Sequence, residues 1–269
     1  MKSFKQYLEE LWISPHNGAK YGQVIFLVGG AGSGKSTATR KFINTTNYKI
    51  LNPDDLKGLL IQAGKKGIPS FKDMANVDPN TPEGSTKVHQ FMRDTKIGSR
   101  KARTMIAGLV GSKNLPNLLF DRTFAFAREF KKISQGLIKA GYKSENIHVV
   151  FVMTDVEMAV KRNLTRSRSL PTEVIRKTNI GAKKEFMKLF FRRAKGAVVN
   201  GDYYIIINRG ERAIQVKVAG KSIDRTGEIS KKVANLLGKR PLREAKEKLK
   251  KKRKKNVFPH WTTSMNAAT

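Results

Sequence analysis

The chain has 269 residues, of which 54 are Lys or Arg and 21 are Asp or Glu, so its formal net charge is +33. It has no cysteine, which excludes disulfides, thiolate metal sites and cysteine nucleophiles. No apolar run approaches the ~20 residues that a membrane-spanning helix needs, and the opening segment MKSFKQYLEELW lacks the apolar stretch of an export signal. We therefore expect a cytoplasmic protein that makes no membrane contact.

Short runs rich in β-branched and aromatic residues alternate with helical patterns. The predicted strands are Gln23–Val28, Tyr48–Leu51, Asn117–Phe120, Ile147–Met153 and Tyr203–Ile207. The predicted helices are Ser36–Asn44, a long helix within Thr86–Gly108, Phe126–Ala140, Val156–Arg166 and Thr172–Lys195. Such alternation is typical of an α/β fold with a parallel sheet and helices on both faces.

Three domain bounds follow from this pattern. We expect a lead-in at residues 1–22, the α/β domain at 23–235 and a tail at 236–269. Residues 63–84 are rich in Gly and Pro and are too long for a simple connector, so we predict an ordered loop or a substrate flap. Residues 211–222 are predicted to form one or two late strands.

A charge of +33 attracts polyanions through its long-range field and through counterion release. Residues 239–255 carry 11 Lys or Arg against two Glu and have no apolar stripe, so we predict a basic C-terminal tail that is a solvated helix or disordered. Nucleic acid is therefore the expected partner of both body and tail. The alternative is a lysine-rich surface that is merely solvated.

A glycine-rich segment follows the first predicted strand and precedes the first predicted helix. It fits G-x-x-x-x-G-K-[ST], the phosphate-binding loop (P-loop). Backbone N–H groups curl around the β-phosphate, Lys35 reaches the β- and γ-phosphates, and the Ser36 hydroxyl ligates Mg²⁺. ATP and Mg²⁺ are the expected cofactors. The residues predicted to bind ATP are Gly29, Gly30, Ala31, Gly32, Ser33, Gly34, Lys35, Ser36 and Thr37.

Two aspartates, Asp54 and Asp55, follow the second strand. Because ligands of open parallel sheets bind beyond the carboxyl ends of the strands, we expect both to lie beside the P-loop. A carboxylate there can accept the proton of an acceptor hydroxyl during phosphoryl transfer, and an aspartate can also cap the helix Asp54–Ile61. We predict that one of the pair acts as a base and the other caps.

The third strand ends in Asp121 and Arg122. A carboxylate at this strand end can hold Mg²⁺ through water or orient an acceptor. The chain has no Asp-Glu pair after an apolar run, which a motor ATPase would use to activate water. Its absence favours a kinase.

An arginine lid is predicted before Pro171. Arg162 and Arg166 are four residues apart and share a helix face, and Arg168 follows. Such arginines bind phosphate oxygens and neutralise their charge, although a solvated basic face is the alternative. Pro171 should end this helix, and Thr172 is the predicted N-cap of the next.

The motifs GSGKST, NPDD, LLFD and VKRNLTRSRSLP resemble those of phage-type 5′-polynucleotide kinases and, less closely, those of zeta-toxin-like P-loop kinases. The likeness covers roughly residues 23–195. It implies a P-loop kinase fold, with Asp54 as catalytic base and Lys57 in contact with the acceptor phosphate. The full set of expected catalytic residues is Lys35, Asp54, Asp121, Arg162 and Arg166. Those expected to bind the acceptor are Lys57, Arg122 and Arg168.

Three functions remain open. The expected one is an ATP-dependent kinase of 5′-hydroxyl ends of nucleic acid, which the charge and Lys57 favour. The second is a kinase of a small acceptor such as a nucleotide or nucleotide sugar, as the zeta-toxin-like group implies. The third is a nucleic-acid-associated protein that binds ATP without transfer, against which Asp54, Asp121 and the lid argue together.

Overall fold

The computed structural model describes residues 21–125, 127–165, 170–191, 196–208 and 213–218. All of them belong to the first of two compact units, Met1–Ile223 and Asp224–Thr269. The basic tail lies outside the described residues, and the predicted domain bounds stay a prediction.

A six-stranded sheet forms the centre of the described fold. Its strands are β1 (Val24–Val28), β2 (Tyr48–Leu51), β3 (Asn117–Arg122), β4 (Ile147–Thr154), β5 (Tyr203–Asn208) and β6 (Ala213–Val218), in the order β2-β3-β1-β4-β5-β6. The first five are parallel, and β6 pairs with β5 in the antiparallel direction. The predicted parallel sheet is confirmed, and the described part of the late-strand region, residues 213–218, forms β6.

Seven helices pack around or beside this sheet in the described part of the chain. They are α1 (Lys35–Phe42), α2 (Asp54–Lys65), α3 (Pro82–Asp94), α4 (Ile97–Ala107), α5 (Ala127–Lys139), α6 (Val156–Leu164) and α7 (Thr172–Phe190). Short 3₁₀ helices lie at Pro69–Met74 and Ser144–Asn146. Most predicted helix ends differ by a few residues, because fraying ends leave only a weak signal. None of these helices is long and apolar enough to cross a membrane.

The single long helix predicted within Thr86–Gly108 is wrong, because the structure divides this segment into α3 and α4. Two features cause the break. The Thr95 hydroxyl donates to the Phe91 carbonyl oxygen (2.7 Å), which competes with helix continuation. Lys96 then adopts a left-handed conformation (φ 53°), which an α-helix cannot include.

The sheet is buried on both faces. Alternate residues of a strand point to opposite sides, so Ile25 and Leu27 of β1 pack with Phe42 of α1. Phe26 points the other way, into a group of aromatic rings that includes Phe130 of α5 (ring centroids 5.4 Å apart). Every residue of β1 is fully buried, as expected for a central parallel strand.

The loop or flap predicted for residues 63–84 is largely wrong, because most of the segment is helical. Helix α2 continues to Lys65, and a 3₁₀ helix and α3 follow. Their apolar side chains form a second, smaller core around the buried residues Leu60, Ile61, Met74 and Val88. The glycines and prolines that suggested a loop instead bound the helices: Pro82 opens α3, and Gly64 lets α2 approach the backbone of Phe71.

Candidate active site

The P-loop Gly29–Gly34 lies between the carboxyl end of β1 and the start of α1. Gly32 and Gly34 adopt left-handed conformations (φ 74° and 89°), which favour glycine. A Cβ at Gly32 would also lie 2.7 Å from the Ala159 carbonyl oxygen. The Lys35 ammonium donates to the carbonyl oxygens of Gly29 (3.0 Å) and Gly30 (3.4 Å). The sequence motif therefore folds into a tight curl with its lysine inside.

Three neutral side chains from distant parts of the chain hold this loop. The Asn179 amide donates to the Ala31 carbonyl (2.8 Å), and the Thr178 hydroxyl accepts from the Ala31 N–H (3.1 Å). The Asn208 amide donates to the Ser33 carbonyl (2.9 Å). Sequence analysis missed all three. The one available signal was weak: an asparagine inside a helix is unfavourable unless its side chain has a partner.

The predicted carboxylates lie at one edge of the sheet and are linked by Asn52, the first residue of the NPDD motif, to which no role was assigned. The Asn52 amide donates to Asp121 Oδ2 (3.3 Å), and its oxygen accepts from the Asp54 N–H (2.9 Å). Burial raises the pKa of Asp121, as do the negative charges of Asp54 and Asp55, while the Lys35 ammonium partly offsets them. Asp121 Oδ1 is buried and has no hydrogen-bond partner in the described structure.

Asp54 forms an ion pair with Lys57 on the same helix face. The Lys57 ammonium lies 2.7 Å from Asp54 Oδ1 and 2.9 Å from His89 Nε2 on α3. The Lys57 side chain is only 8% exposed, whereas that of Asp54 is 59% exposed. Partial burial alone would raise the pKa of Asp54, but Lys57, His89 and Lys35 together outweigh it and the pKa falls below its ordinary value.

The capping predictions are wrong for both helices concerned. Neither Asp54 nor Asp55 caps α2: Pro53 occupies the N-cap position without a side-chain bond, and Asn52 binds the Asp54 N–H instead. Both aspartates lie in the first turn, where the helix dipole favours negative charge. Likewise α7 starts at Thr172, after an N-cap at Pro171 that makes no side-chain bond. In both cases a proline, which makes no side-chain cap bond, occupies the N-cap position in place of the expected residue.

The other predicted residues are spread around the loop. Arg162, in the last turn of α6, donates to Asn208 Oδ1 (2.9 Å) and so shares the asparagine that holds the loop. Burial lowers the pKa of Arg122, and the nearby Glu129 carboxylate partly offsets this. Ser36 is exposed at the start of α1 and Thr37 is half-buried. Arg166 and Arg168 lie outside the described residues, so the arginine lid stays a prediction.

A sequence model of one family, described as Zeta toxin, matches residues 12–214. The chain belongs to the Zeta toxin family. The matched range includes the P-loop, Asp54, Asp121 and Arg162. The predicted resemblance to zeta-toxin-like kinases is thus confirmed, and the fold is that of the P-loop kinases. The matches lend no support to the resemblance to phage-type polynucleotide kinases. No curated protein matches the chain by sequence.

Solved structures with similar folds share little sequence with this family member. AvrRxo1-ORF1 in its complex with ORF2 and ATP is 14% identical with a TM-score of 0.49, and the match covers 82% of this chain but 64% of that one. A structure of the PezAT toxin–antitoxin system of Streptococcus pneumoniae is 18% identical with a TM-score of 0.45, and the match covers 84% of this chain and 81% of that one. Deoxyadenosine kinase of M. mycoides is 15% identical with a TM-score of 0.34, and the match covers 80% of this chain and 98% of that one.

Proposed function

We propose that the chain transfers the γ-phosphoryl group of ATP to a hydroxyl of a small nucleotide or nucleotide sugar. The observation that carries the proposal is the match to the Zeta toxin family over residues 12–214. This is the second of the functions that the sequence left open. Family membership now favours it over a kinase of nucleic-acid ends, which had been the main expectation.

The P-loop supplies the groups that would bind ATP phosphates. The Lys35 ammonium lies in the curl of the loop, and α1 begins there, so its N-terminus attracts anions. The Ser33 hydroxyl is buried without a partner in the described structure, and a buried hydroxyl without a bond is costly. A phosphate oxygen would give it an acceptor. We therefore assign residues 29–37 to the triphosphate.

Oxygen donors suited to Mg²⁺ lie beside the loop. Asp121 Oδ1 is buried and unpartnered in the described structure, and Ser36 offers an exposed hydroxyl at the start of α1. The described residues contain no cluster of three or more His, Cys, Asp or Glu, which fits Mg²⁺ because this ion takes few protein ligands and keeps water and phosphate oxygens. Asp121 and Ser36 would hold it, and it would neutralise charge on the transferring phosphate.

Asp54 is our candidate for the base. Its carboxylate is more than half exposed, its lowered pKa keeps it ionised at neutral pH, and Lys35 is close enough to influence it. A fixed carboxylate can orient the acceptor hydroxyl and take its proton as the bond to phosphorus forms. Arg162, next to the loop through Asn208, would stabilise the charge of the phosphates.

A groove along α3 is our candidate for the acceptor site. Its volume is about 740 Å³, within the range of about 300–1,000 Å³ that is usual for small-ligand pockets. It is lined by Asp73, Met74, Glu83, Thr86, Lys87, Gln90, Phe91 and Pro171. Phe91 offers an apolar surface for a base and Lys87 a cation for a phosphate. Helix α3 is tied to Asp54 through His89 and Lys57.

The test is a phosphate-transfer panel. Labelled γ-phosphate of ATP is offered to nucleotides, to nucleotide sugars and to a 5′-hydroxyl oligonucleotide. We expect transfer to a member of the first two classes. Transfer to the oligonucleotide alone would instead favour a kinase of nucleic-acid ends, which the charge of +33 supports. Transfer to none of them would contradict the proposal.

Charge reversal tests the groove. Lys87→Glu should raise the KM for the acceptor about tenfold, the factor that ~1.4 kcal/mol of lost attraction gives, and leave kcat nearly unchanged. The matched control is Lys177→Glu, which lies in a separate groove of similar volume beside α7 and should leave this KM unchanged. Equal effects of the two variants would show only a general loss of positive charge and would remove the α3 groove from the proposal.

A further inference from the structure

His89 lies in no motif, yet it contacts the candidate base through a single lysine. We infer that neutral His89 is a positioning residue: its Nε2 accepts a hydrogen bond from the Lys57 ammonium and thereby holds this cation against Asp54. The inference rests on the proposed function, in which Asp54 is the base.

The contacts of Lys57 carry the argument. Its Nζ lies 2.7 Å from Asp54 Oδ1 and 2.9 Å from His89 Nε2, while the side chain is 8% exposed. A lysine is almost never this buried without partners, because each N–H removed from water needs an acceptor. Asp54 and His89 supply two. Without His89, the ammonium would regain an acceptor only by moving toward water, and Asp54 would lose its fixed partner.

Packing fixes the histidine in this position. Val88, the residue before His89, is fully buried in the smaller core with Leu60 and Ile61 of α2. Lys57 lies about one turn before Leu60 on the same helix. The two helices that carry the contact are therefore held together by apolar side chains, and His89 cannot leave Lys57 without a change in side-chain conformation or a disruption of this core.

Only one protonation state of His89 fits the contact. An ammonium offers donors alone, so the Nε2 that faces it must carry a lone pair, and the ring proton must lie on Nδ1. Protonation of His89 would place two positive charges, its own and that of Lys57, 2.9 Å apart. The charged groups that influence His89 are Lys57 and Asp54. Burial and Lys57 lower the pKa of His89 below its ordinary 6.5, and Asp54 offsets this only in part.

A particular pH dependence follows. The pKa of His89 lies below 6.5, so its ring gains a proton only on the acid side of that pH. The protonated ring then repels Lys57 and no longer holds this cation against Asp54. Transfer should therefore decline on the acid side of pH 6.5, with its midpoint at the pKa of His89.

The first test needs no activity. In the full-length chain, ring ¹H–¹⁵N correlation spectra report the tautomer and titration of each histidine, and the His89 signals are assigned by their loss in His89→Gln. We expect the Nδ1–H tautomer and a pKa below 6.5 that rises in Lys57→Met, because that variant removes the cation and leaves Asp54. An Nε2–H tautomer, or a titration unchanged in Lys57→Met, would overturn the inference whether or not the chain is a kinase.

The second test uses ATP and the best acceptor of the panel. His89→Ala should lower kcat about tenfold at pH 7, the order of effect of losing a hydrogen bond to a charged group, without changing the KM for ATP. His89→Gln should rescue kcat, since its amide oxygen accepts from Lys57 at every pH, and should remove the acid decline. Arg93→Ala, one turn further along α3 and 73% exposed, is the control and should keep the wild-type profile. If transfer by His89→Gln still declines at acid pH, the inference is overturned. If no acceptor of the panel is phosphorylated, the proposed function is overturned, and the histidine spectra alone then test the inference about His89.

Discussion

Replacing Asn179 with alanine should weaken both the fold and the binding of ATP. Its side-chain amide donates to the carbonyl oxygens of Ala31 (2.8 Å) and Ile175 (2.9 Å), and the residue is 8% exposed. The Ile175 carbonyl lies within α7, where the helix backbone supplies a donor. The loss therefore falls on Ala31 in the P-loop. Removing one partner of such a bond costs about 1–3 kcal/mol, and we expect the free energy of unfolding to fall within that range.

ATP affinity should fall with it. The backbone N–H groups of the P-loop must be ordered around the phosphates, and Asn179 restrains the loop at Ala31. If ~1.4 kcal/mol of the lost stabilisation must be regained on binding, the Kd for ATP rises about tenfold. Urea unfolding gives the stability, and calorimetric titration of the full-length variant gives the Kd.

Asn117→Ala is the matched control. Asn117 is also a buried asparagine (6% exposed), and its side-chain oxygen accepts from the Gln23 N–H (2.9 Å). It lies at the opposite edge of the sheet, where β3 begins. We expect a comparable loss of stability with no change in the Kd for ATP. Equal Kd values for the two variants would refute the argument that α7 orders the loop for the nucleotide.

The remaining predictions concern charged groups. Lys35→Ala should abolish transfer while the protein stays folded, and more than a tenth of the wild-type kcat would contradict its role. Asp54→Asn should lower kcat about 10²-fold and leave the Kd for ATP unchanged. Asp55→Asn should change neither kcat nor stability by much, because Asp55 does not cap the helix. Loss of transfer in Asp55→Asn alone would mean that the two roles are exchanged. Deleting residues 239–269 should flatten the slope of log K for duplex nucleic acid against log salt by about 4 units if about half of the tail cations bind phosphates; an unchanged slope would exclude the tail from binding.

The fold could be predicted because its signals are local. Strand β2 has the predicted bounds Tyr48–Leu51, since a short β-rich run between two polar segments marks it on its own. The smaller core could not be predicted in the same way. Its segment is rich in glycine and proline, as loops are, with Gly64 and Pro82 as examples. Only the packing of Met74 and Val88 shows that the segment forms helices with these residues near their ends.

Some residues of the candidate site could likewise be predicted from local sequence, and others could not. Lys35, Asp54 and Asp121 follow strands or lie in motifs, so their position at one edge of the sheet follows from parallel pairing. Asn179 and Asn208 contact the P-loop across 148 and 175 residues of sequence. Such contacts depend on where the fold places α7 and the end of β5 relative to the P-loop, and no local pattern records that arrangement.

The groups that hold the P-loop are neutral, and electrostatics explains why. The two loop carbonyls described above accept from the amides of Asn179 and Asn208. A carboxylate has no proton to donate to these carbonyls and would partly neutralise Lys35. An amide donates without changing the charge of the loop, so the Lys35 ammonium and the N-terminus of α1 stay available to a phosphate. The residues that hold the loop are therefore uncharged and leave no charge pattern in the sequence, while the residues expected to meet the substrate are charged and could be found.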